Sequence, residues 1–169
     1  EKEVTAEFKK GTAGRFAPGL PAKGDGQLLF MLNGLAKLKD DGQMAIIQNG
    51  SSLFNGDAGS GPSEIRRYLI ENDWLDAIVQ LPNNAFYNTG IATYICIVMK
   101  NKPVTHQGKV QLIDASACCS ARRKNIGSKN VDITKACRDL IIEAYGAYVD
   151  GTYNGVDEND NAIVVKSKV

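Results

Sequence analysis

Residues 74–101 have the sequence WLDAIVQLPNNAFYNTGIATYICIVMKN, which holds two apolar runs, residues 75–81 and 91–99. Both runs are rich in β-branched side chains, which is typical of strands buried inside α/β sheets. The segment between them is too short for a crossover helix, so we expect an antiparallel pair if the strands are neighbours. Phe86 and Tyr87 lie on the connecting loop. Loops on rigid scaffolds are where functional side chains concentrate, so this loop is the first candidate for a site.

Patterns on either side of this stretch predict further helices and strands. After Asp25, a candidate N-cap, apolar side chains recur at helical spacing. They are Leu28, Met31, Leu32, Leu35 and Leu38. Helices are also predicted for residues 63–72 and 133–149, and buried strands for residues 43–48 and 109–114. This order predicts an α/β class, specifically half of a doubly wound, mostly parallel sheet with an antiparallel strand pair at its edge.

The sequence divides into three segments. Residues 1–24 show no sustained period and are expected to form a loop or flexible arm. Residues 25–149 hold the predicted helices and strands, and residues 150–169 are expected to be a polar tail or a short edge strand. The chain begins Glu1-Lys2-Glu3-Val4, without an initiator Met or an apolar signal core, so we expect a piece of a longer protein.

Composition excludes several classes of protein. The chain has 169 residues, of which 43% are hydrophobic and 23% charged, as is usual for a globular domain. No apolar run approaches the roughly 20 residues needed to span a bilayer. Its net charge of +1 predicts weak binding to nucleic acid by this chain alone. Four Cys without a C-x-x-C pair indicate reduced thiols and a cytoplasmic location, and neither a disulfide framework nor a metal site.

Three local motifs are weaker signals. The spacing Gly56-x-x-Gly59-x-Gly61 is the reverse of the dinucleotide fingerprint, so a flexible loop is favoured over a phosphate cradle. His106, the single histidine, is expected to be a solvated loop side chain. Adjacent cations at Arg122, Arg123 and Lys124 are usually a solvated surface, and phosphate contacts are the alternative.

Several segments together resemble a known family. They are residues 26–32, 38–47 and 64–72, residues 81–93 with Leu-Pro followed by Phe-Tyr-Asn-Thr-Gly-Ile-Ala-Thr, and residues 110–116. Their order and spacing resemble the methyltransferase (modification) subunit of type I restriction-modification systems, an adenine-N6 DNA methyltransferase family with a Rossmann-like sheet. The resemblance covers about residues 24–149. The family's Gly-rich cofactor loop and its Asn-Pro-Pro-aromatic motif have no counterpart here, so the chain looks like the second half of the catalytic domain.

The resemblance implies a chemistry and a set of site residues. The parent would transfer a methyl group from S-adenosylmethionine to adenine N6, after the base has left the duplex. In related methyltransferases an aromatic on the loop between the last two strands stacks on that base, which makes Phe86 the first choice and Tyr87 the second. The alternative for Phe86 is that it plugs the core beneath the loop. Thr89 and Thr93 are further polar candidates.

Asn49 is a candidate for a different reason. It follows the end of the strand predicted at residues 43–48, and α/β sheets bind ligands at the carboxyl ends of their strands. An ordinary polar loop residue is the alternative there.

The resemblance also implies partners. In the family a separate specificity subunit reads the DNA sequence, and a restriction (motor-endonuclease) subunit can join the complex. A nearly neutral methyltransferase half fits this division, because other subunits can supply the phosphate contacts. This chain would then contain no catalytic or cofactor-binding motif of its own, and we expect it to be inactive when isolated.

Two other functions compete with this interpretation. The chain could be a non-catalytic α/β interaction module whose Phe86-Tyr87 loop docks a protein partner, because exposed aromatics often anchor interfaces. Half of a nucleotide-dependent oxidoreductase would need a dinucleotide fingerprint, which this sequence lacks.

Overall fold

The computed structural model describes residues 1–169 in five α-helices and eight strands. The helices are α1 (Lys2–Phe8), α2 (Gln27–Lys37), α3 (Ser51–Phe54), α4 (Gly61–Glu71) and α5 (Lys135–Ala147). The strands are β1 (Gln43–Asn49), β2 (Leu75–Gln80), β3 (Thr93–Met99), β4 (Gln111–Asp114), β5 (Ser120–Ile126), β6 (Lys129–Asp132), β7 (Gly151–Val156) and β8 (Ala162–Lys168). Short 3₁₀ turns occupy Gly11–Ala13 and Val104–His106.

Six strands form one sheet in the order β1-β3-β2-β4-β8-β7. The α/β class is confirmed, and so is the antiparallel pairing of the two apolar runs, now β2 and β3. Within this chain only β2 and β4 pair in parallel, a smaller share than the sequence suggested. The reason is that short loops join β2 to β3 and β7 to β8, and such connections allow only antiparallel neighbours.

Helices cover both faces of the sheet, but they lie over different strands. On one face, α2 and α4 bury an apolar cluster against β3, and on the other face α5 packs over β2, β4 and β8. The predicted helical stripe is confirmed, because Leu28, Met31, Leu32 and Leu35 are all buried on α2. The sheet therefore has a two-sided core, which explains the nearly continuous apolar character of its inner strands.

Both ends of the chain are more ordered than the sequence predicted. Residues 1–24 were expected to be a loop or flexible arm, yet they contain α1, and Phe16 is buried against the α2 cluster. A helix of seven residues is too short to produce a clear period, which explains why the pattern gave no signal. The segment after residue 150 forms the β7–β8 hairpin, and Val165 of β8 is buried beneath α5.

Residues 150–169 were expected to be a polar tail or a short edge strand. They form two strands, of which β7 is an edge strand and β8 is an inner strand. Residue 149 does not separate two structural units, because α5 and β8 share one core. A second difference is the β5–β6 hairpin, a separate two-stranded sheet in a segment for which the sequence predicted neither helix nor strand. No helix is long and apolar enough to cross a membrane.

All four cysteines are free thiols, and three of them, Cys96, Cys118 and Cys137, are buried. Burial raises the pKa of Cys96 to about 11 and, as the main cause, that of Cys118 to about 12. Because the thiolate is the reactive form, the raised pKa of Cys96 and Cys118 slows their modification in addition to the steric effect of burial.

We therefore expect Cys119, which is only half-buried, to react first with a thiol reagent at pH 8. The other three should react only as the protein opens, and denaturant should release all four together. Time-resolved thiol counting with and without denaturant measures this order. Native modification of Cys96 at the rate of Cys119 would contradict the burial of β3.

Candidate functional site at the carboxyl ends of the strands

The candidate site lies at one edge of the sheet. Strands β1 and β2 are both antiparallel to β3, and β4 is parallel to β2, so the carboxyl ends of β1, β2 and β4 share this edge. The amino end of β3 lies at the same edge, where Thr93 is the register partner of Asn49. The structure thus places two of the predicted polar candidates directly opposite each other. Open α/β sheets bind ligands at such an edge.

A polar network holds Asn49 in place. The Gln27 amide is bonded to it twice, because Nε2 donates to Asn49 Oδ1 at 2.8 Å and Oε1 accepts from the Asn49 backbone N–H at 2.7 Å. The Ser51 backbone N–H also donates to Asn49 Oδ1, at 2.9 Å. The Asn49 side-chain nitrogen donates no hydrogen bond within the chain. This amide is therefore rigidly placed and keeps a free donor for a ligand.

Asp25, Gln27 and Ser51 were not predicted as site residues. Hydrogen bonds from Gln27 and then Ser51 hold the pKa of Asp25 below its usual range, so the network contains a fixed carboxylate. Ser51 Oγ lies 2.8 Å from Asp25 Oδ2. In the sequence, Asp25 was a candidate helix cap, and nothing there linked it to Asn49, because the contact spans two elements that are distant in the chain.

Thr93 is a buried polar side chain without a partner. Its side chain is nearly inaccessible and Oγ1 makes no hydrogen bond. Leaving such a hydroxyl unpaired costs about 1–3 kcal/mol. Unpaired buried groups of this kind are often found where a ligand completes the hydrogen bonding. With Asn49 opposite, Thr93 gives this edge a donor and an acceptor in fixed positions.

The two aromatics of the loop have different environments. Phe86 is half-buried and packs against the core beneath α5, whereas Tyr87 is 62% exposed. The structure thus favours the core-plugging alternative for Phe86 and leaves Tyr87 as the ring that a partner can reach. Thr89 is half-buried, forms an isolated bridge with Phe86, and accepts a hydrogen bond from the Ile91 N–H at 3.4 Å. These contacts shape the turn.

The three adjacent cations lie on β5 and are not equivalent. Arg122 forms a double hydrogen bond with Asp132, at 2.5 and 2.6 Å, so its charge is already paired. Arg122 is also the first cause that lowers the pKa of Asp132. Arg123 and Lys124 are exposed and form no ion pair within the chain. They remain the two candidates for contact with a phosphate.

A second polar cluster lies at the opposite edge, at the amino end of β2. Asp76 is fully buried and accepts from the Tyr145 hydroxyl at 2.7 Å. Its other oxygen lies 2.9 Å from Nδ1 of His106, whose ring stacks on Tyr148 with centroids 3.4 Å apart. The expectation that His106 is a solvated loop side chain is wrong, because the fold closes the loop over a buried carboxylate. This cluster lies at the opposite edge from Asn49 and Thr93, and it joins β2, α5 and the loop that holds His106.

Comparisons with known proteins bear on the family and the fold. A family model described as N-6 DNA Methylase matches residues 3–167. The Type I restriction enzyme MpnII methylase subunit of Mycoplasma pneumoniae is 33% identical over 140 residues, covering 81% of this chain and 24% of that protein. The MjaVII methylase subunit of Methanocaldococcus jannaschii is 33% identical over 95 residues, covering 53% of this chain and 16% of that protein.

Among solved structures, the type I restriction-modification system methyltransferase subunit from Streptococcus thermophilus is similar with a TM-score of 0.75 and 30% identity. That match covers 88% of this chain and 30% of the other. The chain therefore spans about a quarter of the length of the MpnII relative and less of the MjaVII one.

Proposed function

The chain belongs to the N-6 DNA methylase family, and from this premise we propose that it is part of a DNA methyltransferase of a type I restriction-modification system. The reaction proposed for the parent is transfer of a methyl group from S-adenosylmethionine to adenine N6. The observation that carries the proposal is the family match over nearly the whole chain, residues 3–167. The polar edge built by Asn49 and Thr93, next to a loop with an exposed aromatic, supports it.

The residues of this chain do not by themselves fit S-adenosylmethionine. The Gly-rich loop before α4 is the one candidate cradle, but a Cβ at Gly61 would lie 1.7 Å from the Leu20 carbonyl oxygen. That glycine is needed because two backbone segments pack together there, so the close packing accounts for it without a bound ligand. We propose that the main cofactor site lies in the part of the parent outside this chain, and we assign no reaction step to the cofactor here.

We propose that this chain binds the target base after the base has left the duplex. A flipped adenine loses its stacking, and an aromatic face restores about 1–3 kcal/mol of it. We propose that Tyr87 offers this face to the base, because its ring is exposed, while Phe86 packs on the core below the loop. Asn49 and Thr93 offer a neutral donor and acceptor, which suit the edge of a base better than a phosphate. Arg123 and Lys124 are proposed to contact the DNA backbone, because both are exposed and form no ion pair within the chain.

The remaining half of the catalytic domain is proposed to join at β1. This strand pairs with β3 on one side only, so its other edge presents free backbone groups. Ile47 on β1 is 51% exposed. A long sheet edge with an apolar residue is a template for pairing with another strand. A parallel strand from the parent, packed beside Asn49, would extend the ligand-binding edge.

The partners proposed for the parent are DNA, a specificity subunit and a restriction (motor-endonuclease) subunit. The chain's net charge of +1 supports this division, because a lone DNA-binding protein needs cations that neutralise many phosphates. Such an assembly acts on chromosomal or incoming DNA, so a cytoplasmic location is part of the proposal. The competing proposal, a non-catalytic interaction module, is favoured only by the exposed ring of Tyr87.

One experiment separates the two proposals. The full-length subunit that contains this chain, assembled with its specificity partner, is expected to form N6-methyladenine in DNA, as measured by nucleoside mass spectrometry. The 169-residue chain alone should form none. In calorimetric titration it should also lack the micromolar affinity for S-adenosylmethionine that corresponds to about −8 kcal/mol. Methylation of cytosine, or tight cofactor binding by the isolated chain, would contradict the assignment.

A further inference from the structure

The β5–β6 hairpin touches the aromatic loop through its turn. Three hydrogen bonds join the two segments. The Ser128 N–H donates to the Tyr87 carbonyl at 2.9 Å. Asn84 Nδ2 donates to the Ser128 carbonyl at 2.8 Å, and the Asn130 N–H donates to the Asn84 carbonyl at 3.2 Å. Each of these hydrogen bonds involves at least one backbone group. The contact therefore constrains the backbone conformation of the loop.

Gly127 is what permits this approach. Its φ is +57°, a conformation that side chains disfavour. A Cβ built at this position would lie 2.4 Å from the Tyr87 carbonyl oxygen, a backbone atom that cannot swing aside. The turn therefore requires glycine for two reasons, its left-handed backbone and the space beside Tyr87.

The loop has few other constraints near the exposed ring. Phe86 anchors one side in the core, and the isolated bridge between Phe86 and Thr89 closes the turn. On the side of Tyr87, the carbonyl bond to Ser128 is the contact that sets the orientation of the peptide. A two-stranded hairpin is marginally stable by itself, so it needs anchors of its own.

Polar contacts also hold the base of the hairpin. Ser120 donates to the Asp157 carboxylate at 2.5 Å, and that hydrogen bond is the first cause of a strongly lowered Asp157 pKa. Within the hairpin, Asp132 pairs with both Arg122 and Lys129. The hairpin is thus held by polar contacts at its base, and its turn contacts the aromatic loop.

We propose that the β5–β6 hairpin is a positioning clamp for the target-base loop, with Gly127 as the residue that lets it close on Tyr87. This inference rests on the proposed function, because it assigns Tyr87 to the base. Gly127 touches neither base nor cofactor and acts through the Tyr87 peptide. Displacing a reacting group by about 1 Å can slow an enzyme ~100-fold, so a clamp of this kind matters to the rate.

The chain offers a matched control. Gly11 has the same φ of +57°, but a Cβ there would meet nothing within 4 Å. Gly127→Ala and Gly11→Ala therefore both place a side chain at the same positive φ, and only the first collides with Tyr87. Asn84→Gly is a milder second variant, because it keeps the left-handed backbone at φ +57° and removes only the amide that binds Ser128.

The first measurement is amide hydrogen exchange in the full-length subunit, which does not depend on activity. Gly127→Ala should speed exchange of the Ser128 N–H by about tenfold or more relative to wild type. Gly11→Ala should leave it unchanged, and Asn84→Gly should have an intermediate effect. Equal exchange in the two glycine variants would overturn the clamp, whatever the subunit proves to catalyse.

The second measurement is single-turnover methylation by the assembled enzyme. Gly127→Ala should lower the rate by about tenfold or more, with unchanged cofactor affinity and a thermal midpoint matching Gly11→Ala. Because Gly127 acts through Tyr87, adding Gly127→Ala to Tyr87→Ala should cause little further loss. Losses that multiply in the double variant would overturn the proposal. If the assembled wild-type enzyme formed no N6-methyladenine, the proposed function would be wrong. Hydrogen exchange alone would then test whether the hairpin positions the loop.

Discussion

Asp76→Ala is expected to destabilise the protein by about 3–5 kcal/mol, because it removes one partner of a buried polar cluster. Asp76 has no exposed surface, and its oxygens serve the Tyr145 hydroxyl and the His106 ring. Burial, followed by the hydrogen bond to Asp76, raises the pKa of Tyr145, so its hydroxyl remains a donor. Without the carboxylate, both of these partly buried groups lose their hydrogen-bond partner. Chemical denaturation of wild type and variant measures the difference.

Two controls define this effect. Asp139→Ala breaks an exposed ion pair with Lys135 on α5, and such pairs contribute about 0.3–0.5 kcal/mol. Asp76→Asn keeps the shape of the side chain and one acceptor, so it should lie between the two. If Asp76→Ala cost no more than Asp139→Ala, His106 and Tyr145 would have to find other partners, and the cluster would not be a structural anchor.

Tyr87→Ala, in the assembled full-length enzyme, is expected to reduce single-turnover methylation by about one to two orders of magnitude. The reason is the loss of about 1–3 kcal/mol of stacking on the flipped base. The thermal midpoint should barely change, because Tyr87 is 62% exposed and supports little of the core. Tyr87→Phe should retain much of the rate, since the aromatic face remains.

Phe86→Ala should show the opposite pattern. Phe86 packs against the core beneath α5, so its truncation should leave a cavity and lower the thermal midpoint. Turnover by the surviving folded fraction should fall less than in Tyr87→Ala, because the exposed aromatic face remains in place. Thermal midpoint and methylation are measured on the same samples. A normal midpoint with lost turnover for Phe86→Ala, combined with normal turnover for Tyr87→Ala, would return the stacking role to Phe86.

Local periodicity predicted the main elements correctly. The spacing of Leu28, Met31, Leu32 and Leu35 fixed the buried face of α2, because each turn of a helix returns side chains to the same side. The two apolar runs predicted β2 and β3 and their antiparallel pairing, because their loop is too short for any other arrangement. The buried face of α2 and the pairing of β2 with β3 depend on residues that are close in the chain, so they can be predicted from the sequence.

Only the tertiary structure decided the details of the site. Asn49 lies opposite Thr93, and the hairpin turn at Ser128 rests on Tyr87, although neither pair shares a local pattern. The same holds for Asp76 and His106, where a residue expected in solvent is packed over a buried carboxylate. Such contacts arise from sheet order and register, which set distances between segments tens of residues apart. Local pattern specifies which face of an element is buried, whereas the packing of the whole chain determines what meets that face.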